Sequence, residues 1–195
     1  MRKLRIGVLG SGKGSNFRAI LDAIAHGRLA AEVAVVVSDV EGAGILRLAE
    51  EAGVKNATVI DRRYKTRLSP ETEAELVAIL TEAGVELVVL AGYMRMVKAP
   101  LLEAFPRRII NIHPSLLPKF PGLEAWRQAL EAGEKVAGCT VHYVDAGMDT
   151  GEIIARAEVP VLPGDTAETL HARIQVAEHR LYPEVVATLA TSDFR

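Results

Sequence analysis

Apolar residues along the chain fall into short β-branched runs separated by stretches of helical spacing. The runs at 4–9, 33–37, 57–60, 85–90 and 108–112 read as strands. Between them Phe17, Ile20, Leu21 and Ile24 recur at helical spacing, as do Leu76, Ile79 and Leu80 in a stretch that Ser69-Pro70 is suited to cap. Such alternation predicts right-handed βαβ units on a parallel sheet. After Trp126 the pattern changes. Residues 138–144 and 152–159 read as two longer strands joined by a Gly/Asp-rich loop, and Asp165-Thr166-Ala167-Glu168 reads as a capping box that opens a long final helix. The expected fold is α/β: a mostly parallel, doubly wound, Rossmann-like sheet with an antiparallel carboxyl-terminal part. No repeat, low-complexity tract or linker divides the chain, so a single domain is expected over residues 1–195.

Composition narrows the partners more than the fold. With 195 residues, 49% hydrophobic and 25% charged, there is chain enough for one substantial core. A formal net charge of -2 lacks the basic excess of nucleic-acid-binding domains, which points to a small polar or anionic substrate. Cys139 is the single cysteine, so no internal disulfide is available. The start Met1-Arg2-Lys3-Leu4-Arg5 runs into an apolar stretch too short for a signal peptide, and no run approaches a membrane span. A cytoplasmic protein with small-molecule partners, no nucleic acid and no membrane is expected; a homodimer is compatible with it.

Three segments carry candidate chemistry. Asn111-Ile112-His113-Pro114-Ser115-Leu116-Leu117-Pro118 ends an apolar strand with an amide and an imidazole that leave on the same face. A neutral donor beside a titratable one suits the gripping of a developing oxyanion; a turn cap and a core histidine are the structural reading. Gly10-Ser11-Gly12-Lys13-Gly14-Ser15-Asn16 lies between a strand and a helix, where the free amides of Gly14, Ser15, Asn16 and Phe17 would form a phosphate cradle. It is not a Walker motif, because Gly14 follows Lys13, and Ser15 stands at the third glycine position of a dinucleotide fingerprint. Asp39, beyond the second strand, keeps a nicotinamide-cofactor reading open. In Asp145-Ala146-Gly147-Met148-Asp149-Thr150-Gly151, Asp149 is the natural carboxylate partner of His113, whose pKa it would raise; a plain hairpin loop is the alternative. A metal set of His113, His142, Cys139 and Asp149 lacks any tight ligand spacing.

Together these segments make the chain resemble the glycinamide ribonucleotide formyltransferases, folate-dependent enzymes of purine biosynthesis. The likeness runs nearly end to end. It also takes in Ala91-Gly92-Tyr93-Met94-Arg95, Gly138-Cys139-Thr140-Val141-His142-Tyr143-Val144, and Ala177-Glu178-His179 before Tyr182-Pro183. Formyltetrahydrofolate deformylases and methionyl-tRNA formyltransferases share the central and late motifs but not the Gly-Ser-Asn loop, and they carry an extra domain for which 195 residues leave no room.

The resemblance implies a formyltransferase domain that uses 10-formyltetrahydrofolate as co-substrate and needs no metal. It implies that 5-phosphoribosyl glycinamide sets its phosphate on Gly14, Ser15, Asn16 and Phe17 and its ribose hydroxyls on Glu178. The folate would lie against Met94, Arg95, Met96 and Val97, Asn111, and the backbone of Asp145 and Ala146. Arg67, in a run of basic residues, is nearest the expected place for the folate glutamate tail. The family's catalytic triad maps onto Asn111, His113 and Asp149, with His113 held protonated by Asp149. Many members have a histidine, or another small polar group, shortly after the Pro-Gly turn, where this chain reads Gly122-Leu123-Glu124-Ala125-Trp126. The competing readings are a formyltetrahydrofolate hydrolase, and a non-catalytic or redox nucleotide-binding Rossmann protein built on the glycine loop and Asp39.

Overall fold

The computed structural model describes residues 2–191, so Met1 and residues 192–195 of the expected domain lie outside the described residues. Its strands are β1 (Leu4–Leu9), β2 (Ala31–Ser38), β3 (Asn56–Thr58), β4 (Leu87–Leu90), β5 (Ile109–His113), β6 (Val136–Tyr143) and β7 (Ile153–Pro160). Its helices are α1 (Ser15–Ala25), α2 (Gly44–Glu51), α3 (Pro70–Glu82), α4 (Ala99–Ala104), α5 (Ala125–Glu131) and α6 (Ala167–Thr191). The strands form one sheet in the order β3-β2-β1-β4-β5-β6-β7. Pairing is parallel from β3 to β5 and antiparallel from β5 to β7. The change of pattern after Trp126 thus marks the change of strand direction.

The central parallel strands β1, β4 and β5 are buried on both faces, which is why they read as continuous apolar runs rather than alternations. Ile6, Val8, Phe17, Ile20, Ile110, Ile174 and Tyr182 pack in one apolar cluster. Leu9, Val35, Val37, Leu76, Leu80, Val88 and Ile109 pack in another. Tyr182 is fully buried, and its hydroxyl donates to the Leu90 carbonyl at 2.8 Å, tying α6 to the end of β4. Edge strand β3 covers residues 56–58, short of the apolar run at 57–60, although Val59 N still donates to the Ser38 carbonyl of β2 at 2.8 Å.

Two caps show how local sequence sets the helix starts. Ser69 caps α3 as expected: its side chain accepts from Thr72 N at 3.2 Å, and Pro70 follows. At α6 the expected box is displaced by one residue. Thr166 and Thr169 exchange the reciprocal bonds, Thr166 N to Thr169 Oγ1 at 2.9 Å and Thr169 N to Thr166 Oγ1 at 3.3 Å. Asp165 is drawn off to Arg173, 2.7 Å away, and Glu168 is not the reciprocal partner.

Strand order reverses between β1 and β4, and at such a switch point the connecting loops diverge and leave a crevice beyond the strand ends. Here those loops are stitched together. Ser11 N donates to the Gly92 carbonyl at 3.0 Å, while Ser11 Oγ accepts from Met94 N at 2.8 Å and donates to Asp39 at 2.5 Å. Among the described residues no helix is long and apolar enough to cross a membrane.

Candidate active site

Antiparallel pairing of β5 with β6 sets Asn111 opposite His142 and His113 opposite Thr140. Residues two apart on a strand share a face, so these four side chains project together. Asn111 Nδ2 lies 3.4 Å from His142 Nε2. Asp149, from the loop between β6 and β7, completes the group: its Oδ2 is 3.4 Å from His113 Nδ1 and its Oδ1 is 3.6 Å from His142 Nε2. A backbone bond from Gly122 N at 2.9 Å fixes the carboxylate, and Asp149 has φ 55, a left-handed conformation that aspartate tolerates better than most residues. The three predicted residues Asn111, His113 and Asp149 are therefore brought together, and His142 joins them.

Electrostatics at this cluster depart from the simple expectation that Asp149 holds His113 protonated. Burial pulls His113 below its ordinary value; Asp149 and the Phe120 carbonyl pull it up, and His142 pulls it down. Desolvation wins because only 6% of the His113 side chain is exposed. Burial pushes Asp149 upward, yet the hydrogen bond from His142, the Gly122 N–H and the charge of His113 hold it below its ordinary value. From the sequence, His142 is visible as a metal-ligand candidate and as part of the Gly138–Val144 motif, with no catalytic role assigned to it. Its signal was its place on the strand at 138–144, but seeing it required the register against β5, which no local pattern carries. Cys139 is buried in the apolar core, on the strand face opposite His142, and burial pushes its thiol up to about 12, so the metal set does not assemble.

A second group forms at the start of α1. Gly14 caps the helix with φ 80, and the amides of Ser15, Asn16 and Phe17 precede the first intrahelical bond, from Arg18 N to Gly14 O. Free amides at the positive end of a helix dipole suit an anion. The Phe17 ring is wholly in the core, so only its backbone faces this start. Asn16 Nδ2 donates to Glu178 Oε2 at 2.9 Å, and both residues are buried. Burial raises the Glu178 carboxyl to about 7 despite the Asn16 bond. Asn16 Oδ1 is buried without a protein partner. Beside the helix start opens a cleft of about 570 Å³ whose lining includes Lys13, Ser15, Arg18, Arg28, Arg47 and His179.

The remaining predicted residues frame the crevice beyond β4. Met94 is 60% exposed, Arg67 is exposed with its guanidinium 4.5 Å from the Tyr64 ring centre, and Val97 is buried. Met96 N donates to Thr66 O at 2.7 Å, which laces this loop to the Arg67 loop. The Arg95 guanidinium is committed to Asp39 at 2.7 Å and to the carbonyls of Tyr64, Arg67 and Asp61. That ion pair also speaks against the nicotinamide reading, because Asp39 is paired with Arg95 and Ser11 and its side chain is only 4% exposed, so it is not presented to a ribose. Asp145 closes its own loop through Gly147 N at 3.0 Å and Thr150 Oγ1 at 2.7 Å, with Ala146 exposed between. After the Pro-Gly turn, Glu124 stands at the start of α5, and Trp126 stacks on His171 with ring centres 3.7 Å apart.

Comparison with known proteins fits this geometry. The formyl transferase family profile matches residues 4–186. Phosphoribosylglycinamide formyltransferase of Bacillus subtilis is 43% identical over 95% of this chain and 94% of its own length. Glycinamide ribonucleotide transformylase 1 from Symbiobacterium toebii superposes with a TM-score of 0.92 at 55% identity, covering 97% of this chain and 88% of that one. The enzyme from Bacillus halodurans gives 0.90 at 44% identity, over 96% of both chains. The chain also matches the trifunctional purine biosynthetic protein adenosine-3 of Drosophila pseudoobscura pseudoobscura at 48% identity, spanning only 14% of that longer protein. The chain belongs to the formyl transferase family.

Proposed function

We propose that this chain is a phosphoribosylglycinamide formyltransferase, a single domain that moves the formyl group of 10-formyltetrahydrofolate onto the amine of 5-phosphoribosyl glycinamide. The observation that carries this reading is the convergence of Asn111, His113 and Asp149 at the β5–β6 junction. The neutral amine attacks the formyl carbon directly, so no serine or cysteine nucleophile is used and no acyl-enzyme forms. Asn111 Nδ2–H donates to the oxyanion of the tetrahedral intermediate, and the positive charge of the His113 imidazolium, held by Phe120 and Asp149, stabilises it from alongside. The amine's surplus proton passes to the departing folate nitrogen through water held by Asp149 and His113. Donors, carboxylate and water supply every step.

Binding divides between the two ends of the crevice. The ribonucleotide phosphate rests on the amides of Gly14, Ser15, Asn16 and Phe17, and its ribose hydroxyls donate to Glu178 in the ionised form. The folate lies against Met94, the backbone of Arg95, Met96 and Val97, and the backbone of Asp145 and Ala146, with its glutamate tail toward Arg67. Incubation with 10-formyltetrahydrofolate, with and without the ribonucleotide, tests the assignment. Formyl loss that requires the ribonucleotide and yields its N-formyl derivative supports it. Formate release at the same rate in both samples would instead make the chain a hydrolase.

A further inference from the structure

We infer that Ser115 is a positioning residue for His113: by fixing the Phe120 carbonyl, it holds His113 Nε2 and leaves Nδ1 as the nitrogen on the Asp149 side. Ser115 lies just beyond β5 and is 2% exposed. Its hydroxyl donates to the Lys119 carbonyl at 2.6 Å and lies 3.2 Å from the Phe120 carbonyl oxygen. That same Phe120 oxygen lies 2.9 Å from His113 Nε2. Phe120 has φ 56, a conformation that costs a bulky side chain energy and persists only where the surroundings impose it. Ser115 is itself anchored to β6, because Thr140 Oγ1 donates to its carbonyl at 2.7 Å and accepts from Leu117 N at 3.1 Å. Thus the strand that carries His142 also anchors the brace for His113.

The chemical consequence follows from the acceptors. A carbonyl can only accept, so Nε2 must carry a hydrogen. Nδ1 then faces a carboxylate, and a neutral ring would set its lone pair against Asp149. Only the imidazolium donates at both nitrogens. The charged and titratable groups facing the ring are Asp149 from the loop after β6 and His142 from β6 itself. Loosening the Phe120 carbonyl frees the ring to place a neutral Nδ1–H on Asp149, which removes the preference for the cation that Asp149 and Phe120 exert against burial.

The test compares the parent with Ser115→Ala by NMR titration of isotope-labelled histidines and by steady-state kinetics across pH. The expected result is a His113 midpoint lowered by roughly half a pH unit, with the neutral ring moving from the Nε2–H toward the Nδ1–H tautomer. Turnover falls by about 3- to 10-fold while both Michaelis constants stay within about 2-fold, and the pH limb of turnover moves with the midpoint. A variant that melts at lower temperature but keeps the parental midpoint and tautomer would overturn the inference, since a purely structural serine does that. Should Ser115→Ala not fold, Ser115→Cys, nearly the same size with a weak donor, answers the same question. The kinetic arm rests on the formyltransferase reading; the midpoint and tautomer do not, so each can fail separately.

Discussion

Under the proposed function, the start of α1 and the β5–β6 junction serve the reaction in different ways. At α1 the proposed recognising groups are backbone amides, placed by one glycine turn and a helix dipole, with the buried pair Asn16 and Glu178 behind them. At the junction they are side chains from two strands and a loop, placed by register and by hydrogen bonds to Gly122 N and the Phe120 carbonyl. The first arrangement suits binding a preformed charge that does not change during reaction. The second suits a charge that appears only in the transition state, where preorganised donors contribute most. Substitutions at the junction should therefore lower turnover, and those at α1 should weaken one substrate.

The largest effect is expected at the junction. Asn111→Ala and His113→Ala should each lower turnover by about 100- to 1000-fold with little change in Michaelis constants. Steady-state kinetics decide it, and a variant changed only in Michaelis constant would erase the contrast between the two regions.

Next comes Glu178→Gln. A carboxyl raised from 4.5 to about 7 by burial keeps its proton in the fold over a range where the unfolded chain has lost it. Stability therefore falls as pH rises through that window, and above it the buried charge costs up to about 3 kcal/mol. Glu178→Gln should melt higher than the parent at pH 8, by several degrees, converge with it near pH 4, and bind the ribonucleotide less well. Scanning calorimetry at the two pH values and a binding titration check both halves.

A smaller effect is expected for Gly14→Ala. Its added carbon would come within 2.9 Å of Ile45 in a backbone with φ 80, so the side chain strikes α2 and not the phosphate cradle. The left-handed strain alone costs about 1 to 2 kcal/mol, and melting should drop by several degrees. The ribonucleotide Michaelis constant should rise while that for the folate holds; equal rises would place the phosphate elsewhere.

The same contrast explains what the sequence made legible. The glycine turn, the strand runs and the Ser69 cap are contiguous, and each meaning lies within a few residues. Asn111 and His113 share a strand, so their common face was visible too. His142 was not, because its place beside Asn111 depends on the pairing of β5 with β6 across the 22 residues between them that hold α5 and two loops. The pairing of buried Asp39 with Arg95, which speaks against the nicotinamide reading, joins loops after β2 and β4 and is likewise non-local. The depressed His113 pKa reflects burial, a property of packing that no motif states.

The central claim is that Asp149 acts on His113 electrostatically, favouring the imidazolium against the cost of burial. Asp149→Asn keeps the shape and removes the charge. Titration of His113 by NMR in the parent and in this variant, with the resonance assigned by His113 replacement, reads the effect directly. A midpoint lowered by about one pH unit, with turnover at neutral pH falling alongside it, is the predicted result. A midpoint that stays in place or rises would contradict it and return the loop at 145–151 to the role of a hairpin turn.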